Sequence, residues 1–249
     1  KYLNIFEYSE KVMDFKMIPV CEPKFFGNEK KYVQECLDTN WISSTGRFID
    51  LFEESFAKFI GVEHGVSCSN GTAAIHIAME ALEMKKGNEV IIPNLSNIAT
   101  ANGVILSGAR PVLVDIDKDN FCIDPMKIEE KITKKTKAIL IVHLYGHPAD
   151  MGPILDIAKK HGLYVVEDCA EAHGAEYKGK KVGGFGDIAT FSFYANKIIT
   201  TGEGGMVLTD NDEFAERSRL IRNLAFTEPR FHHYRLGFNY RLTNIQAAI

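Results

Sequence analysis

The spacing of hydrophobic and polar positions changes its period along this chain. Phe48, Leu51, Phe52, Phe56 and Phe59 recur at helical intervals with acidic and basic residues between them, and Gly61 follows as a stop. Residues 29–37 also carry helical spacing, and 40–46 (N-W-I-S-S-T-G) form a polar loop with the only tryptophan. From residue 64 onward, short apolar runs alternate with amphipathic segments. The pattern predicts strands at 64–67, 89–92, 111–116, 138–144, 163–167, 188–194 and 206–209, and helices at 71–84, 96–106, 126–132, 152–161 and 212–223. Asp124 and Pro125 suit the cap and first position of the helix at 126–132, and Gly162 closes the one at 152–161. Apolar strands separated by helices indicate an α/β fold, with a mostly parallel central sheet flanked by helices. Residues 1–27 read as an irregular arm with a strand-like piece at 17–20, and 28–249 as one α/β domain.

Composition narrows the picture. The 249 residues are 45% apolar and 25% charged, ordinary for a globular chain. A net charge of −4 gives no bulk attraction to nucleic acid. No apolar run is long enough to span a bilayer, and residues 1–15 lack the apolar core of a signal peptide. Cys21, Cys36, Cys68, Cys122 and Cys169 are odd in number and scattered, with no CxxC pair, so neither a disulfide framework nor a thiolate metal site is expected. A reducing cytoplasm is the expected setting.

Ligands of such sheets bind at the carboxyl ends of the strands. After 64–67 comes C-S-N-G-T, whose Gly71 and Thr72 open a helix and offer backbone N–H groups to a phosphate, although an ordinary cap reads the same. After 163–167 come Asp168, Glu171 and His173; a carboxylate at a buried strand end needs a partner, which a structural salt bridge also supplies. Ser192 lies in the aromatic run 188–194, and Lys197 follows, between that run and Gly202, Gly204 and Gly205. Such glycines mark a backbone that takes positive φ or passes close to a neighbour. Alone, this stretch reads equally as a hairpin with a solvated lysine tip. Together the parts match what pyridoxal phosphate requires: an amine for its aldehyde, a carboxylate for its ring nitrogen and a cradle for its phosphate. Desolvation and a nearby cationic ring would lower the lysine's pKa for attack. Two other readings fail. G-G-F-G at 183–186 is followed by a strand, not by the helix of a dinucleotide loop. His143 and His147 have zinc-ligand spacing, but Gly146 and Pro148 make a turn there, which leaves both histidines structural or substrate-side roles and predicts no metal.

Six stretches carry a resemblance that covers the chain from about residue 18 to its end: W-I-S-S-T-G-R-F (41–48), S-N-G-T-A-A-I-H (69–76), V-E-D-C-A-E-A-H-G-A (166–175), G-D-I-A-T-F-S-F (186–193), N-K-I-I-T-T-G-E-G-G-M-V (196–207) and G-F-N-Y-R-L-T-N-I-Q-A-A-I (237–249). In these the chain resembles the DegT/DnrJ/EryC1/StrS sugar aminotransferases, fold type I enzymes that use pyridoxal phosphate (PLP), cycling through pyridoxamine phosphate (PMP). The resemblance implies that Lys197 binds the cofactor covalently and later moves the proton, Asp168 meets the pyridine nitrogen, and Glu171 sits by the ring hydroxyl. Gly71, Thr72 and Ser192 would hold the phosphate, and Asn239 would reach the phosphate in the other subunit of a homodimer with shared active sites. It further implies amination at C4 of a nucleotide-linked 4-keto-6-deoxy sugar with glutamate as donor. A UDP- or dTDP-linked sugar, amination at C3, and a catalytically silent binding or regulatory protein are the alternatives. Trp41, Ser43, Arg47, His143 and Arg235 are the candidate substrate contacts; the two arginines suit a phosphate, with plain surface charge the simpler reading. There are two departures. Asn97 stands where relatives carry an aromatic residue stacked on the ring, and the family continues past the 244–249 segment into a small C-terminal domain, which this reading expects after residue 249.

Overall fold

The computed structural model describes residues 18–19, 21–229 and 231–249. Helix α1 (Glu29–Thr39) and helix α2 (Arg47–Ile60) precede the sheet. Strand β1 (His64–Cys68), α3 (Gly71–Ala81), β2 (Glu89–Pro93), α4 (Ile98–Leu106), β3 (Arg110–Val114), β4 (Thr136–Val142), α5 (Met151–His161) and β5 (Tyr164–Asp168) follow in alternation. A two-stranded hairpin, β6 (Glu176–Tyr177) and β7 (Lys180–Lys181), comes next, then β8 (Ile188–Ser192), β9 (Gly205–Thr209), α6 (Asp212–Arg222) and the short α7 (Asn244–Ala247). The main sheet has seven strands in the order β1-β9-β8-β5-β4-β2-β3. Pairs β2–β3, β2–β4, β4–β5 and β5–β8 are parallel, and β9 runs antiparallel to both β8 and β1. Six strands therefore end at one edge of the sheet, and only β9 starts there.

Residues within β4, β8 and β9 are buried almost without exception, as expected of strands covered on both faces. Along β8, neighbours point to opposite faces. Ile188 joins a large core with Val90, Ile139 and Leu140, while Ala189 and Phe191 join an aromatic core with Phe56 and Phe193 beneath α2.

Three elements differ from the sequence expectation. The helix at 126–132 is instead two 3₁₀ turns, Pro125–Lys127 and Glu129–Lys131, closed by i→i+3 bonds such as Lys127 N–H to the Asp124 carbonyl. Asp124 does cap it, accepting from Met126 N–H at 2.9 Å. So short a segment gains too few i→i−4 bonds to offset helix nucleation. In α2 the buried stripe runs through Phe48, Ile49, Glu53, Phe56, Ala57 and Ile60, and the expected Leu51 and Phe59 lie outside it, 44% and 45% exposed. The polar Glu53 is inside because its carboxylate gathers the Ser67 N–H (2.9 Å), the Ser67 hydroxyl (2.7 Å) and the Arg222 guanidinium. The third is the strand-like piece at 17–20: Ile18 and Pro19 belong to no strand, and its other two positions lie outside the described residues, as does most of the arm.

Candidate active site

The common strand edge carries a cavity of about 590 Å³. Most of its wall is strand ends and the turns after them, completed by residues of α3 and α4 such as Ile75, Ala99 and Leu106. From β1 and the start of α3 come Gly71 and Thr72, whose N–H groups belong to the first helical turn and have no acceptor within the helix. The turn is shaped for close approach: a Cβ on Gly71 would lie 2.7 Å from Ser192 Cβ, at the end of β8. The cradle is thus built from two strand ends pressed together, and only a glycine lets them meet.

Asp168, the last residue of β5, is buried. Its Oδ1 accepts from the Ala170 N–H at 3.1 Å and its Oδ2 from the Thr100 hydroxyl at 3.0 Å. Burial is the largest influence and pushes its carboxyl up; the Ala170 N–H, the Thr100 hydroxyl and the Lys197 ammonium pull it back only in part. A carboxylate in that position favours a cationic partner.

Lys197 sits in the turn between β8 and β9, with its N–H on the Tyr194 carbonyl at 2.9 Å. Its side chain is only 15% exposed, and Nζ stands 3.6 Å from Glu171 Oε1. Glu171 is held in turn by the Tyr145 N–H at 2.8 Å. The glycines behind the lysine divide into two kinds: Gly202 has φ +82°, whereas a Cβ on Gly205 would lie 2.3 Å from the Asn70 carbonyl oxygen. The second kind ties the lysine turn to the cradle.

Gly71, Thr72, Asn97, Asp168, Glu171, Ser192 and Lys197 all line the one cavity. Asn97 does so as the cap of α4, its Oδ1 accepting from the Ala99 N–H at 2.9 Å. Asn239 is exposed, away from the cavity of its own chain, with its backbone bridged to Asn223. Trp41, Ser43, Arg47, His143 and Arg235 are not in the cavity wall. Arg47 is paired through Nε and a second nitrogen with Glu35, both at 2.6 Å. Trp41 and Ser43 give their carbonyls to Asn244, and their loop continues into a smaller polar cavity of about 390 Å³ walled by Ser44, Thr45, Arg219, Arg222 and Arg241. His143 is fully buried with both ring nitrogens engaged, by Glu167 at 3.0 Å and the Ala149 N–H at 3.0 Å, which leaves it no face toward a substrate in this chain.

Sequence reasoning missed Thr100 and Tyr240. Thr100 is in the first turn of α4 and reads as a helix residue; only the tertiary fold brings its hydroxyl to Asp168. Tyr240 also lines the cavity, with its hydroxyl 3.2 Å from His76 Nδ1 and its carbonyl accepting from Ser69 N–H at 2.8 Å.

Residues 24–249 match the sequence model of the DegT/DnrJ/EryC1/StrS aminotransferase family. A GDP-perosamine synthase of Caulobacter vibrioides is 54% identical over 95% of this chain and 64% of its own length. A second GDP-perosamine synthase, of Escherichia coli O157:H7, is 51% identical over 94% of this chain and 65% of its own. The chain therefore spans just under two thirds of these relatives. Among solved structures, NtdA of Bacillus subtilis with bound cofactor PMP superimposes with a TM-score of 0.82 at 36% identity, over 90% of this chain and 52% of that one.

Proposed function

Because the chain belongs to the DegT/DnrJ/EryC1/StrS aminotransferase family, we propose that residues 28–249 are the cofactor-binding large domain of a pyridoxal-phosphate-dependent nucleotide-sugar aminotransferase. Its substrate is a GDP-linked 4-keto-6-deoxy sugar, aminated at C4 to a perosamine-type product, and glutamate is the amino donor. One observation carries the reading: a half-buried amine, Lys197, and a buried carboxylate, Asp168, share one cavity with a glycine-opened helix start.

The residues fit the cofactor. Asp168 is a desolvated carboxyl in want of a cation, and a protonated pyridine nitrogen is one. The cradle at Gly71 and Ser192 is a space that a single Cβ would fill. When bound, pyridoxal phosphate supplies the carbon that carries the amino group between donor and acceptor, and a ring that takes up the electron pair. The chain does the rest. The Gly71 and Thr72 N–H groups and the Ser192 hydroxyl hold the phosphate. Asp168 keeps the ring nitrogen protonated. Lys197 Nζ would be the amine that holds the cofactor's aldehyde carbon and, when free, the base that would move the proton at the reacting carbons, with the Glu171 carboxylate beside it to orient the amine. Asn239, exposed at the surface, serves the phosphate in the second subunit of a homodimer, so that each site draws on both chains.

We place this enzyme in the cytoplasm. The five cysteines are free, and among the described residues no helix is long and apolar enough to cross a membrane. The test is incubation with glutamate and a panel of GDP-, UDP- and dTDP-4-keto-6-deoxy sugars, read by mass spectrometry, alongside the visible absorbance of the bound cofactor. An aminated GDP sugar, and loss of the absorbance band in Lys197→Ala, are expected. A panel without any aminated product, or an unchanged spectrum in that variant, refutes the assignment.

A further inference from the structure

The glycine-rich stretch 183–186 has no part in the cavity, yet it encloses a second carboxylate. Glu167 precedes Asp168 in β5, and neighbours in a strand point to opposite faces. Asp168 faces the cavity, and Glu167 is fully buried on the other side. Its Oε1 accepts the N–H groups of Phe185 and Gly186, each at 2.7 Å. Its Oε2 accepts the Gly183 N–H at 2.8 Å and faces His143 Nε2 at 3.0 Å. The Ala149 N–H donates to His143 Nδ1 at 3.0 Å, so that nitrogen carries no proton and the ring's N–H is on Nε2, aimed at Glu167. Burial pushes Glu167 up, but the bonds from His143 and from the Gly183 and Gly186 N–H groups outweigh it and hold its carboxyl below the ordinary range. Glycine is required here: Gly183 has φ +92°, and a Cβ on Gly186 would lie 2.5 Å from the Val165 carbonyl oxygen.

His143, Glu167 and Cys169 lie close enough together to suggest a metal site. The hydrogen bonds argue otherwise: both oxygens of Glu167 and both nitrogens of His143 already have partners within the protein, so neither of these two side chains has a lone pair left for an ion.

We propose that Glu167 is a positioning residue for Asp168: the nest of three N–H groups and one imidazole fixes the end of β5, and with it the angle at which Asp168 meets the cofactor's ring nitrogen. This rests on the cofactor reading above. The end of β5 is a junction: it pairs with β4 up to Val142 opposite Asp168, and with β8 at three positions, the last being Asp168 with Thr190. His143 links the Glu167 carboxylate to the backbone of Asp168. Its ring holds Glu167, and its backbone N–H donates to the Asp168 backbone carbonyl at 3.1 Å. On the other side the Cys169 N–H donates to the Thr190 carbonyl at 2.8 Å.

Amide hydrogen exchange on the cofactor-free chain reads the clamp, and titration with pyridoxal phosphate reads its consequence. Glu167→Gln sets an amide NH₂ against donors. Exchange at Gly183, Phe185 and Gly186 is expected to quicken about ten- to a hundredfold, and with it exchange at His143 and Cys169, which hold the end of β5. Cofactor affinity falls about tenfold. His143→Gln, whose amide nitrogen stands in for Nε2, keeps wild-type exchange at 167–169 and wild-type affinity; His143→Asn, too short to reach Glu167, loses both. If Glu167→Gln does not fold, this histidine pair carries the same comparison. Faster exchange confined to 183–186, with His143, Cys169 and cofactor affinity unchanged, overturns the proposal, as does equal behaviour of the two histidine variants. If the wild-type chain takes up no pyridoxal phosphate, the cofactor reading fails, and the exchange pattern alone still decides whether Glu167 positions Asp168.

Discussion

Asp168 is held by two donors of different kinds, one backbone and one hydroxyl, and the hydroxyl can be removed. Thr100→Val keeps the shape and deletes the bond. Burial already pushes the Asp168 carboxyl up, so losing a donor pushes it further and weakens its hold on a cationic ring. The expected cost is about 1–2 kcal/mol, or roughly tenfold in pyridoxal phosphate affinity by titration, with Thr100→Ser near wild type. His173 gives a second test. Its Nε2–H donates to the Ser192 carbonyl at 2.9 Å, and Nδ1 is buried without a hydrogen-bond partner among the described residues. Burial pushes its pKa down from 6.5 to about 4, opposed by the Ser192 carbonyl and assisted by the Lys197 ammonium. Between those two values the unfolded chain binds a proton that the folded chain does not, so stability falls as pH drops through that window. The loss is on the order of 3 kcal/mol. His173→Gln, which keeps an N–H for Ser192, should flatten the acid side of a melting-temperature profile; the same slope in both proteins would refute the argument.

The start of α3 shows what an element contributes beyond its residues. Gly71 stands 2.7 Å, by its absent Cβ, from Ser192 Cβ on β8. That contact is the first side-chain carbon of a strand-end residue, fixed to the backbone rather than at the tip of a flexible chain, so Gly71→Ala must part α3 from β8 or block the cradle. We expect it to lose the preference for pyridoxal phosphate over phosphate-free pyridoxal, measured by competitive titration, while far-UV circular dichroism is retained. The helix and the two strand ends were readable from their periodicity and from C-S-N-G-T. Less readable were the 3₁₀ turns at 125–131 and the outer limits of the α2 stripe. Both are settled by what packs against them: Glu53 is inside α2 because Ser67 and Arg222 wait there, a fact with no trace in the local pattern.

For the molecule as a whole, the prediction concerns shared sites. Lys197 lines the cavity, and Asn239 lies outside it, exposed. If Asn239 serves a second chain, Lys197→Ala and Asn239→Ala proteins mixed under exchange conditions recover about a quarter of wild-type sites, because each mixed dimer rebuilds one of its two. Recovered cofactor absorbance checks this, and no recovery in mixed dimers that demonstrably form would sink it. The loop 41–48 and the 237–249 stretch, far apart in sequence, prove to be two halves of one contact. Asn244 accepts from the Phe48 N–H at 3.0 Å, donates to the Trp41 carbonyl at 2.6 Å and fills the space a Cβ on Gly46 would need.

From the sequence alone came the alternation of strands and helices, the edge at which ligands gather, and the chemical types placed there: an amine, a carboxylate, a glycine-opened helix start. Those follow from local period and from which residues must sit at strand ends, and local period survives in one dimension. The partners of each group were decided only in three dimensions: Thr100 on Asp168, Glu35 on Arg47, and the nest that takes up Glu167. Hydrogen bonds between distant elements depend on how those elements pack, and no spacing along the chain encodes that.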